Sequence, residues 1–341
     1  MRAIRIERFG GPEALRLVQD LPVPEPGPGE VRVRMAYAGV NYTDIYRREG
    51  DYAASATYVS RLPLTLGIEG AGCVDALGPG VAGIEPGARV AFTRTLGAWA
   101  DHAIVPAHRL ARVPGGVSLA RAAAGMTNAM TAHYLTTEFG LRADDWCLVH
   151  AGAGGVGQWL IRRARALGVN VIATAGNEAK ARIARDLGAR EVILYREADF
   201  DAEVRRMTEG RGVDVVFDSV GRDTLARSLR SLRRRGTCVL YGHASGRVDA
   251  LDPMELAEAG SVFLTRPHMA DYIATTQEYA RRAGDVMGWL ASGADAGSAP
   301  HVWPLEQARL AQTALASRAT TGKAILAIAP HLDELAPVAV S

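Results

Sequence analysis

The sequence predicts an α/β protein in which a doubly wound parallel sheet is inserted in a β-rich domain. Three observations predict it. A glycine-rich stretch, VHAGAGGVGQ at 149–158, stands between an apolar run and an amphipathic one. Beyond it, strand-like and helix-like segments alternate with short connections, the pattern of a parallel sheet covered on both faces. Before it, from Met1 to about Gly125, short alternating or apolar runs are separated by turn residues, as in an all-β domain.

The elements follow in order. VRVRMAYAGV and ARVAFT read as strands, and PVPEPGPGE and LGPGVAGIEPG as the turns between them. AMTAHYLTTEF reads as a helix and WCLVHA as a strand. After the glycine loop, Val156, Trp159, Leu160, Ala164 and Leu167 recur at helical spacing, so one face packs on the sheet while Arg162, Arg163 and Arg165 turn outward. NVIATA, EVILY, VDVVFDSV, TCVLYG and SVFLTR are the further strands, and EAKARIARDLG and DTLARSLRSLRR are helices between them. Arg233, Arg234 and Arg235 are expected to close the second of these helices, where positive charge complements the carbonyl end. The segment 267–341 carries two helical stretches, a strand-like KAILAI and a polar tail. The expected organisation is therefore 1–125, 126–266 and 267–341.

Composition bounds the function. A chain of 341 residues exceeds what one compact core usually holds, so two lobes are expected. With 48% hydrophobic and 22% charged residues and no long unbroken apolar run, no membrane span is expected. MRAIRIERFG alternates like a strand and lacks the features of a secretory signal, so a cytoplasmic location is expected. Cys73, Cys147 and Cys238 are few, odd in number and far apart, which fits reduced thiols and neither a disulfide framework nor structural zinc. A formal charge of +2, with basic residues scattered, suggests no nucleic-acid partner. Lys180 and Lys323 are the only lysines.

Gly152, Gly154 and Gly157 form a G-x-G-x-x-G after a predicted strand and at the start of a predicted helix. In that setting the first glycine permits a tight turn, the second lets backbone N–H groups approach a pyrophosphate, and the third allows close helix–strand packing. Gly152, Ala153, Gly154, Gly155, Val156 and Gly157 are thus the expected dinucleotide cradle of a Rossmann fold. An NAD site places a carboxylate at the end of the second strand. Here Ala175, Gly176 and Asn177 stand there, with Lys180 just beyond, so NADPH is the expected cofactor. Glu178 is the carboxylate from which the NAD alternative would be built.

FGGPEALRL, AGVNYTDIYRREGDY, LGIEGAGCV, GARVAF, HAGAGGVG, FDSVGRDTLARSL, LTRP and SRATTGKAIL occur in this order. Together they resemble the medium-chain dehydrogenase/reductase superfamily, specifically its zinc-free NADPH:quinone oxidoreductase branch, over nearly the whole chain. The resemblance implies a GroES-like catalytic domain at 1–125, a Rossmann NADP-binding domain at 126–266, and a C-terminal segment that returns to the first. It implies Asn41, Tyr46 and Thr131 at the nicotinamide end, Tyr52 beside the substrate and Tyr195 beside the adenosine phosphate; Gly176 sits where close backbone approach to the adenosine ribose is needed, and Lys180 is the cation expected for a 2′-phosphate. It further implies Ser219, Gly242, His243, Phe263, Leu264, Thr265 and Arg318 along the cofactor. Zinc-dependent relatives carry a cysteine in the stretch matching AGVNYTD and a His-Glu pair in that matching LGIEGAG; this chain has Asn41, and Ile68 before Glu69, so no metal is expected. Lys323 is expected to serve only the opening of a strand.

Without a Lewis acid, conjugated acceptors fit best, because they already delocalise the charge that hydride creates. The expected reaction is hydride transfer from NADPH to a quinone or an α,β-unsaturated carbonyl, with Tyr46 as hydrogen-bond donor, Asn41 orienting the ring and Tyr52 beside them. Water is an alternative proton source. An enoyl-thioester reductase of fatty-acid or polyketide type and a non-catalytic NADPH- or RNA-binding protein are the rival readings. The resemblance also implies a homodimer, with SVFLTR as the edge strand.

Overall fold

The computed structural model describes residues 1–293 and 299–334; the expected polar tail, 335–341, lies outside the described residues. Two compact units form, one from Met1–Met130 together with the chain from Ile273 onward, the other from Thr131–Tyr272.

The first unit opens with β1 (Ala3–Ile6), β2 (Arg16–Val18), β3 (Glu30–Val40), α1 (Tyr42–Glu49), β4 (Leu64–Thr65), β5 (Glu69–Leu77), β6 (Arg89–Thr93), β7 (His102–Pro106), β8 (Ala111–Arg112) and the first part of α2 (Leu119–Glu138), whose residues from Thr131 on belong to the second unit. The second unit holds β9 (Trp146–Val149), α3 (Gly155–Ala166), β10 (Asn170–Ala175), α4 (Glu178–Asp186), β11 (Glu191–Leu194), α5 (Phe200–Met207), β12 (Val213–Asp218), α6 (Leu225–Arg230), β13 (Leu232–Leu240), α7 (Pro253–Glu258), β14 (Phe263–Thr265) and α8 (Met269–Tyr272). The first unit is completed by α9 (Thr276–Ala291), β15 (His301–Pro304), α10 (Ala308–Ala316) and β16 (Ala324–Ala327).

In the second unit six parallel strands run in the order β11-β10-β9-β12-β13-β14. Numbered from β9, this is the 3-2-1-4-5-6 order of the doubly wound dinucleotide fold. The strands are apolar because both faces are covered: β12 is buried at every position. On α3, Gly157, Trp159, Leu160, Ile161 and Ala164 are buried. Leu148, Ile172, Val216, Phe200 and Leu229 share one core.

One expectation is corrected here. Arg233, Arg234 and Arg235 lie in β13, not at the end of a helix. The helix stops at Arg230, and Asp214 on the adjoining strand takes Arg233 at 2.5 Å and Arg211 at 2.7 Å. A nearly buried carboxylate on β12 thus draws the arginine into the sheet, next to a register shift between Val213 and Val215.

In the first unit a larger sheet runs β15-β16-β3-β5-β6-β8, with β7 also on β3. Trp99 and Phe92, both fully buried, share a core with Leu305, Ala308 and Leu326, so the C-terminal segment completes the interior begun at the N-terminus. The register of this sheet builds the site. β16 pairs antiparallel with β3, Ala324 opposite Val40, which sets Lys323 against Asn41. β5 pairs antiparallel with β3, Gly70 opposite Ala38, which sets Glu69 against Gly39.

Candidate active site

The glycine loop leaves the C-terminal end of β9 at the centre of the parallel sheet. Gly157 must be glycine for packing: a Cβ there would lie 2.3 Å from the Ala151 carbonyl oxygen and 2.9 Å from the Gly152 Cα. Gly154 caps α3 and no side chain caps that helix end, so its first N–H groups and the positive end of its dipole are presented for an anion.

A buried relay holds the loop. Ser228 Oγ donates to Asp218 Oδ2 at 2.7 Å, so the Oγ is left to accept from His150 Nε2, 3.0 Å away. With its proton on Nε2, His150 accepts at Nδ1 from Thr174 Oγ1 at 3.1 Å, and Thr174 Oγ1 in turn accepts the Ala151 N–H at 3.2 Å. Ala151 has φ 53, in the left-handed region that a residue with a Cβ adopts only when held there. Desolvation pushes the pKa of His150 down, with Asp218 opposing.

At the end of β10, Asn177 Oδ1 accepts the Lys180 N–H at 3.0 Å and caps α4. The Glu178 carboxylate pairs with Arg185 at 2.5 Å, a hydrogen bond that lowers its pKa. Gly176 adjoins Tyr195, whose hydroxyl would be 3.0 Å from a Cβ at that glycine. Gly242 lies against the Ser219 carbonyl, and His243 Nδ1 is 3.3 Å from Arg266. Phe263, Leu264 and Thr265 form the outermost strand of the sheet, with Phe263 61% exposed. Thr131 is buried in α2. The structure thus gathers the loop, Gly176 with Tyr195, and Ser219 with Gly242 and His243 at the carboxyl ends of the parallel strands.

In the first unit, Asn41 caps α1. Its amide Nδ2 donates to Glu69 at 2.7 Å and its Oδ1 accepts from Lys323 Nζ at 2.6 Å. Lys323 also pairs with Glu69, and Glu69 Oε2 accepts the Thr127 N–H at 2.6 Å. Gly39 makes room for this carboxylate, since a Cβ would fall 2.0 Å from its oxygen. Asp44 accepts the Asn41 N–H at 2.9 Å; burial pushes its carboxyl up to about 7, with that hydrogen bond and Lys323 opposing. Asn41, Asp44, Glu69 and Lys323 are all buried. Tyr46, one turn into α1, packs against Tyr42 and edge-on against Tyr52 at 5.9 Å between ring centroids. Arg318 is exposed just after α10.

Glu69, Asp44 and Lys323 went unrecognised as site groups in the sequence. Lys323 does precede β16, but its ammonium serves the Asn41–Glu69 cluster as well. Two signals were present: a carboxylate inside the apolar LGIEGAGCV, and the scarcity of lysine.

Residues 27–115 match the alcohol dehydrogenase GroES-like domain and residues 155–285 the zinc-binding dehydrogenase family. A 2-haloacrylate reductase from Burkholderia sp is 38% identical over 326 residues, covering 94% of this chain and 97% of its own. Quinone oxidoreductase 1 of Escherichia coli is 38% identical over 331 residues, covering 95% and 99%. The structure of Escherichia coli quinone oxidoreductase complexed with NADPH superposes with a TM-score of 0.91 at 36% identity, covering 96% of this chain and all of the other. The chain belongs to the quinone oxidoreductase family of medium-chain dehydrogenases/reductases.

The zinc-binding dehydrogenase match implies zinc, and the residues of this quinone oxidoreductase homologue do not fit that ion. Among the described residues no group of three or more His, Cys, Asp or Glu side chains is placed to hold a metal. Glu69 is taken by Lys323, Asn41 and the Thr127 N–H, and the cysteines at 147 and 238 are buried in the second unit.

Proposed function

We propose that the protein is a cytoplasmic, zinc-independent reductase that uses NADPH to reduce a quinone or an α,β-unsaturated carbonyl. The observation that carries this reading is the uncapped N-terminus of α3 behind the glycine loop, beside a second strand that ends without a carboxylate and is followed by Lys180. The relatives named quinone oxidoreductase and 2-haloacrylate reductase support the substrate class, and the NADPH complex supports the cofactor. When bound, the reduced nicotinamide supplies a hydride.

The chain's own residues do the rest. Residues 152–157 hold the pyrophosphate; Gly176, Lys180 and Tyr195 receive the adenosine end with its 2′-phosphate. Ser219, Gly242, His243, Phe263, Leu264, Thr265 and Arg318 border the remainder, and Asn41, Tyr46 and Thr131 the nicotinamide. The Tyr46 hydroxyl donates a hydrogen bond to the oxygen that gains charge, and Tyr52 borders the acceptor. In this reading 1–125 with 267–341 is catalytic and 126–266 binds the cofactor. Two copies pair through the exposed edge of β14.

The test is NADPH oxidation across quinones, enones and enoyl thioesters, with Lys180→Ala beside the wild type. Quinone or enone turnover is expected, and the variant loses about tenfold of the NADPH-over-NADH preference. Turnover of enoyl thioesters alone, or RNA binding with no turnover, overturns the reading.

A further inference from the structure

Beside Tyr46 in the first unit stands a cationic cluster that the hydride reaction does not use. Arg47 is 4% exposed, yet Arg47, Arg94 and Arg109 have no ion-pair partner among the described residues. Arg32 with Asp75 and Arg89 with Asp333 show how such a cation is paired elsewhere in this unit. Arg47 spends one Nη on the Tyr58 and Val59 carbonyls and on Ser60 Oγ, at 3.3, 3.0 and 2.9 Å, which fixes the segment that carries Tyr58.

Arg94 differs. Its guanidinium carbon lies 4.1 Å from the Tyr58 ring centroid, and among the described residues it makes no hydrogen bond; its Nε is buried and unpartnered. The residue follows β6 with φ 66, a conformation that a side chain other than glycine's adopts at a cost. Burial lowers the pKa of both Arg94 and Arg47, and for Arg94 the positive charges of Arg47 and Arg109 add to this. The carboxylate acting on Arg47 is Asp44, whose own charge is diminished near neutral pH by a pKa of about 7. Arg94 is half-buried, with its Nε out of reach of water and its Nη atoms still accessible, and a guanidinium so placed without an anion is one that a bound carboxylate stabilises.

Aromatic contacts link this cation to the reacting end. Tyr58 stacks at 4.8 Å on Tyr52, and Tyr52 meets Tyr46 at 5.9 Å. Arg47 lies 5.6 Å from the Tyr52 ring and 5.7 Å from that of Tyr58. Tyr46 and Tyr58 are buried and Tyr52 is half-buried, so a flat conjugated molecule seated on Tyr52 lies one ring, Tyr58, from Arg94.

We propose that Arg94, in the field of Arg47 and Arg109, is an anion subsite that selects conjugated acceptors bearing a carboxylate. The inference rests on the reading of this protein as a reductase of conjugated acceptors and names the class of acceptor. The guanidinium offers a planar fork of donors that matches a carboxylate, and the half-buried Tyr52 covers the apolar body.

Two measurements test it. Calorimetric titration of benzoate and of benzamide into the full-length protein saturated with NADP⁺ reads the subsite without turnover. Benzoate is expected to bind about tenfold more tightly than benzamide; Arg94→Gln brings the ratio to about one, and Arg94→Lys, which keeps the charge and loses the fork, lowers it to about threefold. Equal affinities in the wild type, or an unchanged ratio in a folded Arg94→Gln protein, overturn the proposal. Thermal unfolding establishes that the variants are folded, and Arg94→Lys keeps the test decisive if the glutamine variant is not. Kinetically, kcat/KM for 3-benzoylacrylate is expected to exceed that for its methyl ester, with the same loss of preference in Arg94→Gln. Failure to oxidise NADPH with both acid and ester counts against the reductase reading, while the benzoate ratio still decides the subsite. A loss of NADPH affinity in Arg94→Gln with the ratio intact assigns the cation to the cofactor and overturns the proposal.

Discussion

Lys323 and Asn41, 282 positions apart, meet in a buried hydrogen bond of 2.6 Å between the ammonium and the amide oxygen. The bond fixes which way the Asn41 amide faces, because the same side chain must donate its Nδ2 to Glu69. It thereby anchors the cap of α1, the helix that carries Tyr46.

Lys323→Met leaves the Glu69 carboxylate buried without its cation. The expected loss of stability is about 3–5 kcal/mol, read from the urea midpoint at constant m. Lys323→Met with Glu69→Gln is expected to recover part of that loss, since no uncompensated charge then remains. If the single variant unfolds at the wild-type midpoint, the pair contributes nothing.

Asp44 makes stability depend on pH in an unusual direction for a carboxyl group. Its pKa rises from 3.8 to about 7 on folding, so the native state binds more protons than the unfolded chain between those values. Stability from this group is therefore full below 3.8 and declines as the pH rises towards about 7. Asp44→Asn is expected to remove that decline, which denaturant midpoints measured across the range will show.

His150 gives the opposite slope in the other unit. Its pKa is depressed on folding, so the unfolded chain takes up the proton first and stability falls as the pH drops through the ordinary value of 6.5. His150→Ala is expected to flatten this dependence and to cost about 1–3 kcal/mol through the Thr174 hydroxyl, whose proton loses its acceptor while Ser228 keeps Asp218. It should also weaken NADPH binding in a fluorescence titration, because Thr174 positions the Ala151 N–H; unchanged affinity would leave the relay a purely structural element.

Gly157→Ala brings a methyl group against the backbone of the loop, where no flexible side chain yields. A fall of at least about tenfold in NADPH affinity, equivalent to about 1.4 kcal/mol, is expected by titration. Gly284→Ala, with nothing within 4 Å of its Cβ position, serves as the neutral control.

The half of the candidate site that is proposed to take the cofactor was legible along the chain. Its residues lie in and just after consecutive strands, and a parallel sheet delivers every strand's carboxyl end to one edge, so a local motif announces a shared location. The misread helix end at Arg233 shows the boundary of such reading: the partner that draws this arginine into a strand is Asp214, on a neighbouring strand.

The glycine spacing, the alternation of strand and helix, and the residues that follow the second strand were enough to establish the doubly wound fold and its affinity for a phosphorylated dinucleotide. Local backbone geometry makes those properties short-range. The Asn41–Glu69–Lys323 cluster and the unpaired Arg94 depend on antiparallel register and burial. Those arise only when segments tens to hundreds of positions apart pack together, because the energy of a buried charge is set by its neighbours in space and not by its neighbours along the chain.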